Sequence, residues 1–341
     1  MRIKSILSTL LLGTTIAMAQ NNKPLNLTFE ARGDYRQTSV DGEKLKEESG
    51  FKGNVANLIL KGDLSPKFSY GIRHRLNKIK KDASFFDATD WLYLRYKAND
   101  HFSFTAGKFI VLVSGWELEP APIDCYFLSD FCYNFPCYQW GGIVEYTPNQ
   151  GKDRISFQLC RSPYESTYEG MTGNKEDMYG YNLSWTGRHG FFEPLWSINM
   201  SEYAPGKYIN YIALGNRFYV GDNMQVELDF MNRAASGQTF FGKDCSVVGK
   251  IAYQPSEKLN LFAKASYEVN HSETEADYAV QNGTEITRVG VGAEYFPLKE
   301  KNIRLHSTYS YAFGKNTNPQ ATVVDKLSSF EVGVTWRVKV L

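Results

Sequence analysis

Apolar and polar residues alternate in short runs along most of the chain. In residues 25–36 every second position carries an apolar or small side chain, namely Leu25, Leu27, Phe29, Ala31, Gly33 and Tyr35. Residues 330–340 repeat the pattern with Phe330, Val332, Val334, Trp336, Val338 and Val340. A period of two is typical of a β-strand, whose side chains point to opposite faces in turn. Each run therefore predicts a strand with one apolar and one polar face.

Fourteen further segments between these two follow the same rule, so the sequence predicts sixteen strands. The fourteen are residues 55–64, 68–76, 90–98, 102–109, 139–147, 154–161, 179–186, 195–201, 207–219, 224–231, 246–254, 259–269, 287–296 and 303–313. Short and long connections alternate between them, and residues 202–206 are the one short connection in a long position. The third long connection, residues 110–138, is the longest, with 29 residues.

This layout predicts an all-β fold: a 16-stranded antiparallel up-and-down transmembrane β-barrel with short periplasmic turns and long extracellular loops. A soluble β-sandwich is the alternative, since its strands also alternate. Nearly every strand here keeps an apolar stripe, and aromatic residues stand near many strand ends, as belts at two membrane interfaces require. A closed barrel also leaves no unpaired backbone edge in lipid. Sixteen strands enclose an aqueous channel.

Composition removes other classes of protein. Lys and Arg number 38 against 37 Asp and Glu, and this near-neutral balance lacks the basic footprint of a nucleic-acid-binding protein. Beyond residue 20 no stretch of 18 uninterrupted apolar residues occurs, which excludes helical membrane spans. Aromatic residues make up 15% of the chain, which suits a barrel with two aromatic belts.

The N-terminus predicts export. Arg2 and Lys4 precede a mostly apolar run, and Ala17-Met18-Ala19 fits the small-x-small cleavage rule. We therefore expect residues 1–19 to be a signal peptide and residues 20–341 to form one barrel domain in the outer membrane.

Several strings in the first half of the chain carry a family resemblance. They are Leu58-Ile59-Leu60-Lys61-Gly62-Asp63-Leu64, Phe68-Ser69-Tyr70, Asp90-Trp91-Leu92-Tyr93-Leu94, Phe104-Thr105-Ala106-Gly107-Lys108-Phe109 and Trp116-Glu117. The chain resembles the phosphate-selective porin O and P family of Gram-negative outer membranes, as a divergent member of the Bacteroidetes type. The resemblance covers the mature chain in layout and is specific over residues 55–117. It implies a homotrimer of 16-stranded barrels whose third loop folds inward as a constriction.

The alternation also assigns side chains to the two faces. A lipid-facing Arg or Lys near the bilayer centre costs about 2–4 kcal/mol, so the polar set faces the lumen. The basic members of that set on the first and last strands are Arg32, Lys61, Arg73, Arg75, Arg95, Lys97, Arg337 and Lys339. Strands 1 and 16 adjoin when the barrel closes, so these residues are predicted to form one basic wall. His74 falls on the lipid side by the same rule.

The constriction loop, residues 110–138, contributes the opposite charge. It contains Glu117, Glu119, Asp124 and Asp130 and no Lys or Arg. A basic wall facing an acidic loop would create a transverse field that favours ions and hydrophilic solutes over apolar ones. The alternative is that these charges are scattered ion-pair partners without a collective role. Because anion-specific pores place Arg or Lys at the constriction, this loop argues against strict phosphate specificity.

Cysteines and histidines offer little chemistry. Cys125, Cys132 and Cys137 lie in the loop and Cys160 ends a strand, so these four are the candidates for a disulfide of undetermined connectivity. No His accompanies the cluster, and its spacing matches no common zinc pattern, so no metal or other cofactor is predicted. His306 with Ser310 is the only beginning of a hydrolase triad, and the sequence predicts no catalytic residue.

The sequence thus predicts a non-enzymatic outer-membrane porin: a water-filled channel for passive diffusion of small hydrophilic solutes and ions, with anions such as phosphate among the candidates. Its partners are the lipid bilayer, these solutes and, by resemblance, two further copies of the chain. A receptor or structural barrel whose loops bind a partner is the first alternative, and a barrel hydrolase is the second.

Overall fold

The computed structural model of the protein describes residues 25–81, 84–148 and 151–341. The predicted signal peptide lies outside the described residues. Within them no helix is both long enough and apolar enough to cross a membrane.

The described chain is built almost entirely from antiparallel strands. Their bounds are β1 Asn26–Val40, β2 Glu43–Lys44, β3 Gly50–Ser65, β4 Phe68–Arg75, β5 Thr89–Lys97, β6 Phe102–Ile110, β7 Tyr138–Tyr146, β8 Asp153–Arg161, β9 Tyr179–Gly187, β10 Phe192–Ala204, β11 Lys207–Val220, β12 Met224–Ala235, β13 Asp244–Ser256, β14 Leu259–Asn270, β15 Glu285–Tyr295, β16 Ile303–Lys315 and β17 Leu327–Lys339. Two short α-helices lie in the connections, α1 at Asp130–Asn134 and α2 at Glu165–Thr172.

The sheet closes into a barrel. Each long strand pairs with its neighbours in sequence, and β1 pairs with both β3 and β17, so that Ala31 lies between Ala56 and Trp336. The two-residue β2 only extends the hairpin after β1. Sixteen long strands remain, so the predicted 16-stranded antiparallel barrel is confirmed.

The two faces of the strands differ as the alternation requires. Outward positions form an exposed apolar belt that includes Leu58, Leu94, Phe104, Val144, Phe157, Leu183, Ile198, Leu228, Ile251, Val291, Leu305 and Val338. Polar and charged side chains at the intervening positions, such as Glu30, Arg32 and Asp34 of β1, are buried. A barrel in lipid buries its polar set around the lumen and exposes its apolar set, which is the inverse of a soluble protein.

Strand bounds differ from the prediction mainly by extension. The strand predicted at 55–64 begins at Gly50, and the one predicted at 195–201 spans Phe192–Ala204. Pairing with long neighbours satisfies backbone groups that local pattern alone leaves unassigned. The predicted short exception is present, because only Pro205 and Gly206 separate β10 from β11.

A bulge in β5 re-aims the side chains around Asp90. Arg73 pairs with Trp91 and His74 pairs with Thr89, so Asp90 is the extra residue. A bulge places two successive residues against one partner residue and turns their side chains. As a result Asp90 and Trp91 both contact Arg73, at 2.8 Å and 4.0 Å respectively, while His74 stays on the outer face.

Candidate pore constriction

The connection between β6 and β7, residues 111–137, begins by docking on one side of the barrel wall. The backbone N–H of Leu112 donates to Gln158 of β8 (2.8 Å), and Asn199 of β10 donates to the Leu112 carbonyl (2.8 Å). The N–H of Ser114 donates to the hydroxyl of Ser197 (2.9 Å). These contacts turn the chain from the end of β6 toward β10. Since β6 ends at Ile110 and β7 begins at Tyr138, the loop predicted at residues 110–138 is one residue shorter at each end, and from here on the constriction loop means residues 111–137.

The loop next reaches β11, β12 and β14. The Arg217 guanidinium lies 3.4 Å from the ring centroid of Trp116, and the N–H of Glu117 donates to Asp229 (2.8 Å). The Glu117 carboxylate forms an ion pair with Lys264 at 2.5 Å, and both side chains are buried. Breaking a buried pair leaves an uncompensated charge, so this contact holds the loop at a fixed position.

Residues 118–121 then return to the opposite wall. Leu118, Glu119, Pro120 and Ala121 line a cavity of about 10 Å³ together with Arg73, Trp91, Ile110 and Tyr138. A space of that size holds about one water molecule. The loop therefore spans the barrel from β11 and β12 to β4 and β5.

Asp124 anchors the middle of the loop to the wall at the closure of the barrel. Its two carboxylate oxygens pair with Arg304 of β16 and Arg337 of β17, each at 2.6 Å. Arg304 also donates to the carbonyl of Ile123 (2.9 Å), and Arg32 of β1 donates to that of Cys125 (2.7 Å). Three arginines from three adjacent strands thus bind three successive loop residues. The pKa of the Asp124 carboxyl is lowered: burial alone would raise it, but the Arg304 and Arg337 charges and their hydrogen bonds outweigh burial.

Aromatic contacts fix the following residues against β14 to β16. The Tyr126 hydroxyl donates to Glu294 (3.0 Å), and its ring stacks on Phe262 with centroids 5.5 Å apart. Phe127 lies over Gly290, where an added Cβ would stand 2.7 Å from its ring. Because glycine has no Cβ, the Phe127 ring can pack directly on the backbone at this position.

The short helix α1 completes the crossing. Ser129 caps it, and the first two helical N–H groups, those of Asp130 and Phe131, donate to the buried carboxylate of Glu268 on β14. A carboxylate at a helix N-terminus satisfies amides that lack an intrahelical partner. The Asp130 carboxylate accepts from Asn134 (3.1 Å) and Asn316 (3.0 Å).

A second segment, residues 271–284 between β14 and β15, packs against the constriction loop, which the residue pattern did not predict. Asn134 of the loop donates to the carbonyl of Ala279 (2.9 Å), and Asp277 pairs with the fully buried Arg233 at 2.6 Å. The two segments and the facing strands share an apolar core of Val111, Val113, Phe131, Phe135, Cys160, Tyr164, Ile209, Tyr211, Ala213, Met231, Ala235, Ala276, Ala279 and Val280. The lumen is therefore packed rather than uniformly polar along β8 to β12. The sequence signal that could have predicted this packing was the group of small apolar residues Ala276, Ala279 and Val280 in a long connection.

The predicted basic residues are held mainly by carboxylates of the wall itself. Arg32 pairs with Asp34 and Glu331, and Arg95 pairs with Glu145. The remaining contacts are Arg73 and Arg75 with Asp90, Lys97 with Asp100, Arg337 with Glu30 and Asp124, and Lys61 over the Trp91 ring. Lys339 is exposed at the end of β17.

The predicted loop acids meet a different set of cations. Glu117 and Asp124 bind Lys264, Arg304 and Arg337, of which only Arg337 belonged to the predicted wall. Asp130 contacts amides, and Glu119 lines the small cavity. Acidic loop and basic residues are therefore in direct contact rather than opposed across a gap, because the loop crosses the lumen and reaches strands beyond the first and last ones.

All five cysteines are free thiols, so the expected disulfide among Cys125, Cys132, Cys137 and Cys160 is not formed. The Cys125 thiol points to the carbonyls of Pro120 and Ala121, and the Cys137 thiol to that of Phe135. Burial raises the pKa of Cys125 to about 11 and that of Cys137 to about 12. These thiols act as small packing groups rather than nucleophiles.

Asp34, His306 and Glu331 place three potential metal-ligand atoms within 4.8 Å of one another. The Arg32 guanidinium donates to both carboxylates, and His306 lies 2.6 Å from Asp34. A guanidinium cation between the two acids opposes a metal cation there. The cluster fits an ion-pair network.

A closed sixteen-stranded barrel with an apolar exterior and a loop folded into its lumen defines a membrane channel. Solved structures share this fold. An anion-selective porin from Comamonas acidovorans has a TM-score of 0.66 at 10% identity, covering 92% of this chain and 99% of that one. The outer membrane channel DcaP of Acinetobacter baumannii has a TM-score of 0.64 at 12% identity, covering 92% and 97%. OmpT of Vibrio cholerae in its trimer form has a TM-score of 0.59 at 12% identity, covering 92% and 99%.

The family model for the phosphate-selective porin O and P proteins matches residues 25–241. No curated protein matches the sequence. The chain belongs to the phosphate-selective porin O and P family. It is a porin of the outer membrane, a channel for passive diffusion, as the sequence predicted.

Proposed function

We propose that this porin passes small hydrophilic solutes with a modest preference for anions and without strict phosphate specificity. We further propose that it works as a homotrimer without enzymatic activity, exported by a signal peptide at residues 1–19, with its long connections extracellular. The similar porin of Comamonas acidovorans is described as anion-selective, and the similar OmpT structure is a trimer.

One observation carries the anion preference: cations outnumber carboxylates on the wall formed by β3 to β8. Arg73 and Arg75 share the single carboxylate of Asp90, at 2.8 Å and 2.7 Å. Arg95 and Arg154 share Glu145 in the same way, at 2.5 Å and 3.6 Å. Each cluster therefore retains an excess positive charge beside the lumen.

Lys61 adds to this wall. Its ammonium lies 4.6 Å from the Trp91 ring centroid, where the cation meets the negative face of an aromatic ring rather than a carboxylate. Arg73 contacts the same ring from 4.0 Å. A low-dielectric wall focuses such a positive field on the passing solution and raises the local anion concentration.

The constriction loop supports weak rather than strict selectivity. It has no Lys or Arg, and its acids Glu117 and Asp124 are neutralised by Lys264, Arg304 and Arg337. A ring of loop cations, the arrangement that would select phosphate, is thus missing from its sequence. The proposed anion selectivity therefore depends only on the wall formed by β3 to β8.

Reversal potentials in planar bilayers under a KCl gradient test this proposal. We expect a modest shift toward the chloride equilibrium potential, and Lys61→Gln should reduce it. Lys67→Gln, in the exposed turn between β3 and β4, is the matched control and should leave the potential unchanged. Near-ideal anion selectivity, cation selectivity or a K61Q channel identical to the control would contradict the proposal. A barrel without conductance would favour the receptor alternative.

A further inference from the structure

Asp130 connects three segments that link strands of the barrel. It is the first residue of α1 in the constriction loop, and it is fully buried. One carboxylate oxygen accepts from Asn134 (3.1 Å), which also donates to the Ala279 carbonyl in the segment between β14 and β15 (2.9 Å). The other oxygen accepts from Asn316 (3.0 Å), which also donates to the Val323 carbonyl in the connection between β16 and β17 (2.7 Å). The carboxylate therefore lies at the junction of the three segments.

Asp130 differs from the other buried acids around the constriction loop in its partners. Glu117, Asp124 and Asp277 each pair with at least one Lys or Arg. Within the described residues Asp130 forms no ion pair, and its carboxylate is held by the two asparagine amides. Burial without a paired cation disfavours the charged form of a carboxyl group. The negative charge of Asp130 is therefore the least compensated one at this junction.

Both signs of charge face Asp130 from the surrounding elements. The charged groups are Glu268 of β14, which accepts the Asp130 N–H, Asp277 of the segment between β14 and β15, Arg233 of β12, which pairs with Asp277 and with Asp244 of β13, and Arg288 of β15. Arg288 is held by the carbonyl of Leu128 (3.2 Å) rather than by the Asp130 carboxylate. Burial, with the Asp277 charge, raises the pKa of Asp130 to about 6, and the asparagine hydrogen bonds and the Arg288 charge offset this only in part.

We propose that Asp130 is a pH-sensitive anchor of the constriction loop. When Asp130 is protonated, the junction buries a neutral group and the loop keeps the position described above. When Asp130 releases its proton to the water of the lumen, the uncompensated charge favours displaced positions of the loop in which the carboxylate reaches water. The effect is opposite to that of Asp124, whose charge holds the loop. The proposal depends on the channel function of the protein and does not require the anion preference proposed above.

The direction and the pH range follow from two pKa values. In a displaced loop the Asp130 carboxyl is in water and has the ordinary aspartate pKa of about 3.9, whereas in the held position its pKa is about 6. The held position is therefore most stable below about pH 4, loses stability as the pH rises to about 6, and changes no further above that. Two pKa units change the ratio of displaced to held loops about 100-fold. Asp124 keeps its charge in this range, because its pKa is lowered.

Single-channel recordings of the full-length porin between pH 4 and pH 8 test the anchor. In wild-type channels we expect the frequency of current fluctuations to rise up to about 100-fold from pH 4 to pH 6 and then to stay constant. Asp130→Asn keeps the size of the side chain and is neutral at every pH, so the frequency should stay low throughout. Asp41→Asn, which removes an exposed ion pair with Lys326, is the matched control and should keep the wild-type rise.

Asn316→Ala gives a second test that does not depend on the folding of D130N. It removes a hydrogen bond that lowers the pKa of Asp130, so the rise in frequency should extend to higher pH than in wild-type channels. A wild-type frequency independent of pH, the same pH dependence in D130N as in D41N, or a rise in N316A that ends at the wild-type pH or below it would overturn the proposal. Reversal potentials from the same channels measure the anion preference separately, so failure of the anchor is distinguishable from failure of the proposed selectivity.

Discussion

Asp124→Asn tests whether the ion pairs of Asp124 hold the constriction loop. The substitution keeps the size of the side chain and removes the charge that Arg304 and Arg337 each approach to 2.6 Å. Hydrogen bonds to charged groups contribute about 1.5–3 kcal/mol each. The arginines keep Glu294 (3.1 Å) and Glu30 (3.2 Å) as partners, so we expect a net loss of about 2 kcal/mol, less than the two hydrogen bonds together would contribute.

A loss of about 2 kcal/mol raises the population of displaced loop conformations roughly 30-fold. Single-channel recordings should therefore show more frequent current fluctuations in D124N than in wild-type channels. The reversal potential in a KCl gradient should move toward the chloride potential, because the lumen loses one negative charge.

Asp41→Asn is the matched control, since Asp41 forms an exposed ion pair with Lys326 at 3.1 Å on the rim. Exposed pairs of this kind contribute little to stability. If D124N and D41N channels have the same fluctuation frequency and the same reversal potential, Asp124 does not anchor the loop.

Two further predictions concern packing and thiol state. Gly290→Ala should lower the free energy of unfolding by about 1–3 kcal/mol, and with it the urea midpoint, because the new Cβ would stand 2.7 Å from Phe127. At Gly249 an added Cβ meets open space, so Gly249→Ala should be nearly neutral. Equal midpoints for the two variants would refute the packing of Phe127 on Gly290. N-ethylmaleimide should label the folded protein slowly at neutral pH, because the raised pKa values of Cys125 and Cys137 leave little thiolate, and unfolding without reductant should expose five reactive thiols. Fewer than five additions in the intact mass would reveal a disulfide.

Alternation predicted the faces of the strands because it is a local property of extended backbone. The apolar set Leu27, Phe29 and Ala31 and the polar set Glu30, Arg32 and Asp34 lie on one strand, and a lipid exterior allows only one orientation. The same rule assigned His74 to the outer face, where it stacks on Phe85. The barrel class, and the face of the wall on which each side chain lies, could therefore be predicted from single segments.

Partners within the lumen could not be predicted in this way. Arg304 meets Asp124 across 180 residues of sequence, and the choice depends on where the loop lies after closure. Residues 271–284 show no periodic alternation of apolar and polar side chains, so the sequence did not indicate that they pack beside Phe131 and Phe135. The bulge at Asp90 is one extra residue in an otherwise regular strand, which moves one carboxylate between two arginines without any signal in the alternation.

The anchoring of Asp124 also sets an order of assembly. Arg337 follows Asp124 by 213 residues, and Arg304 and Glu268, which also bind the loop, likewise belong to the last strands of the chain. Contacts between such distant residues form late, since the intervening chain must first be ordered. The constriction loop can therefore take up its final position only after β14 to β17 have joined the sheet and β17 has met β1. Until then the nascent barrel has a wide lumen, so the pore narrows only after the last strands have joined the sheet and the barrel has closed.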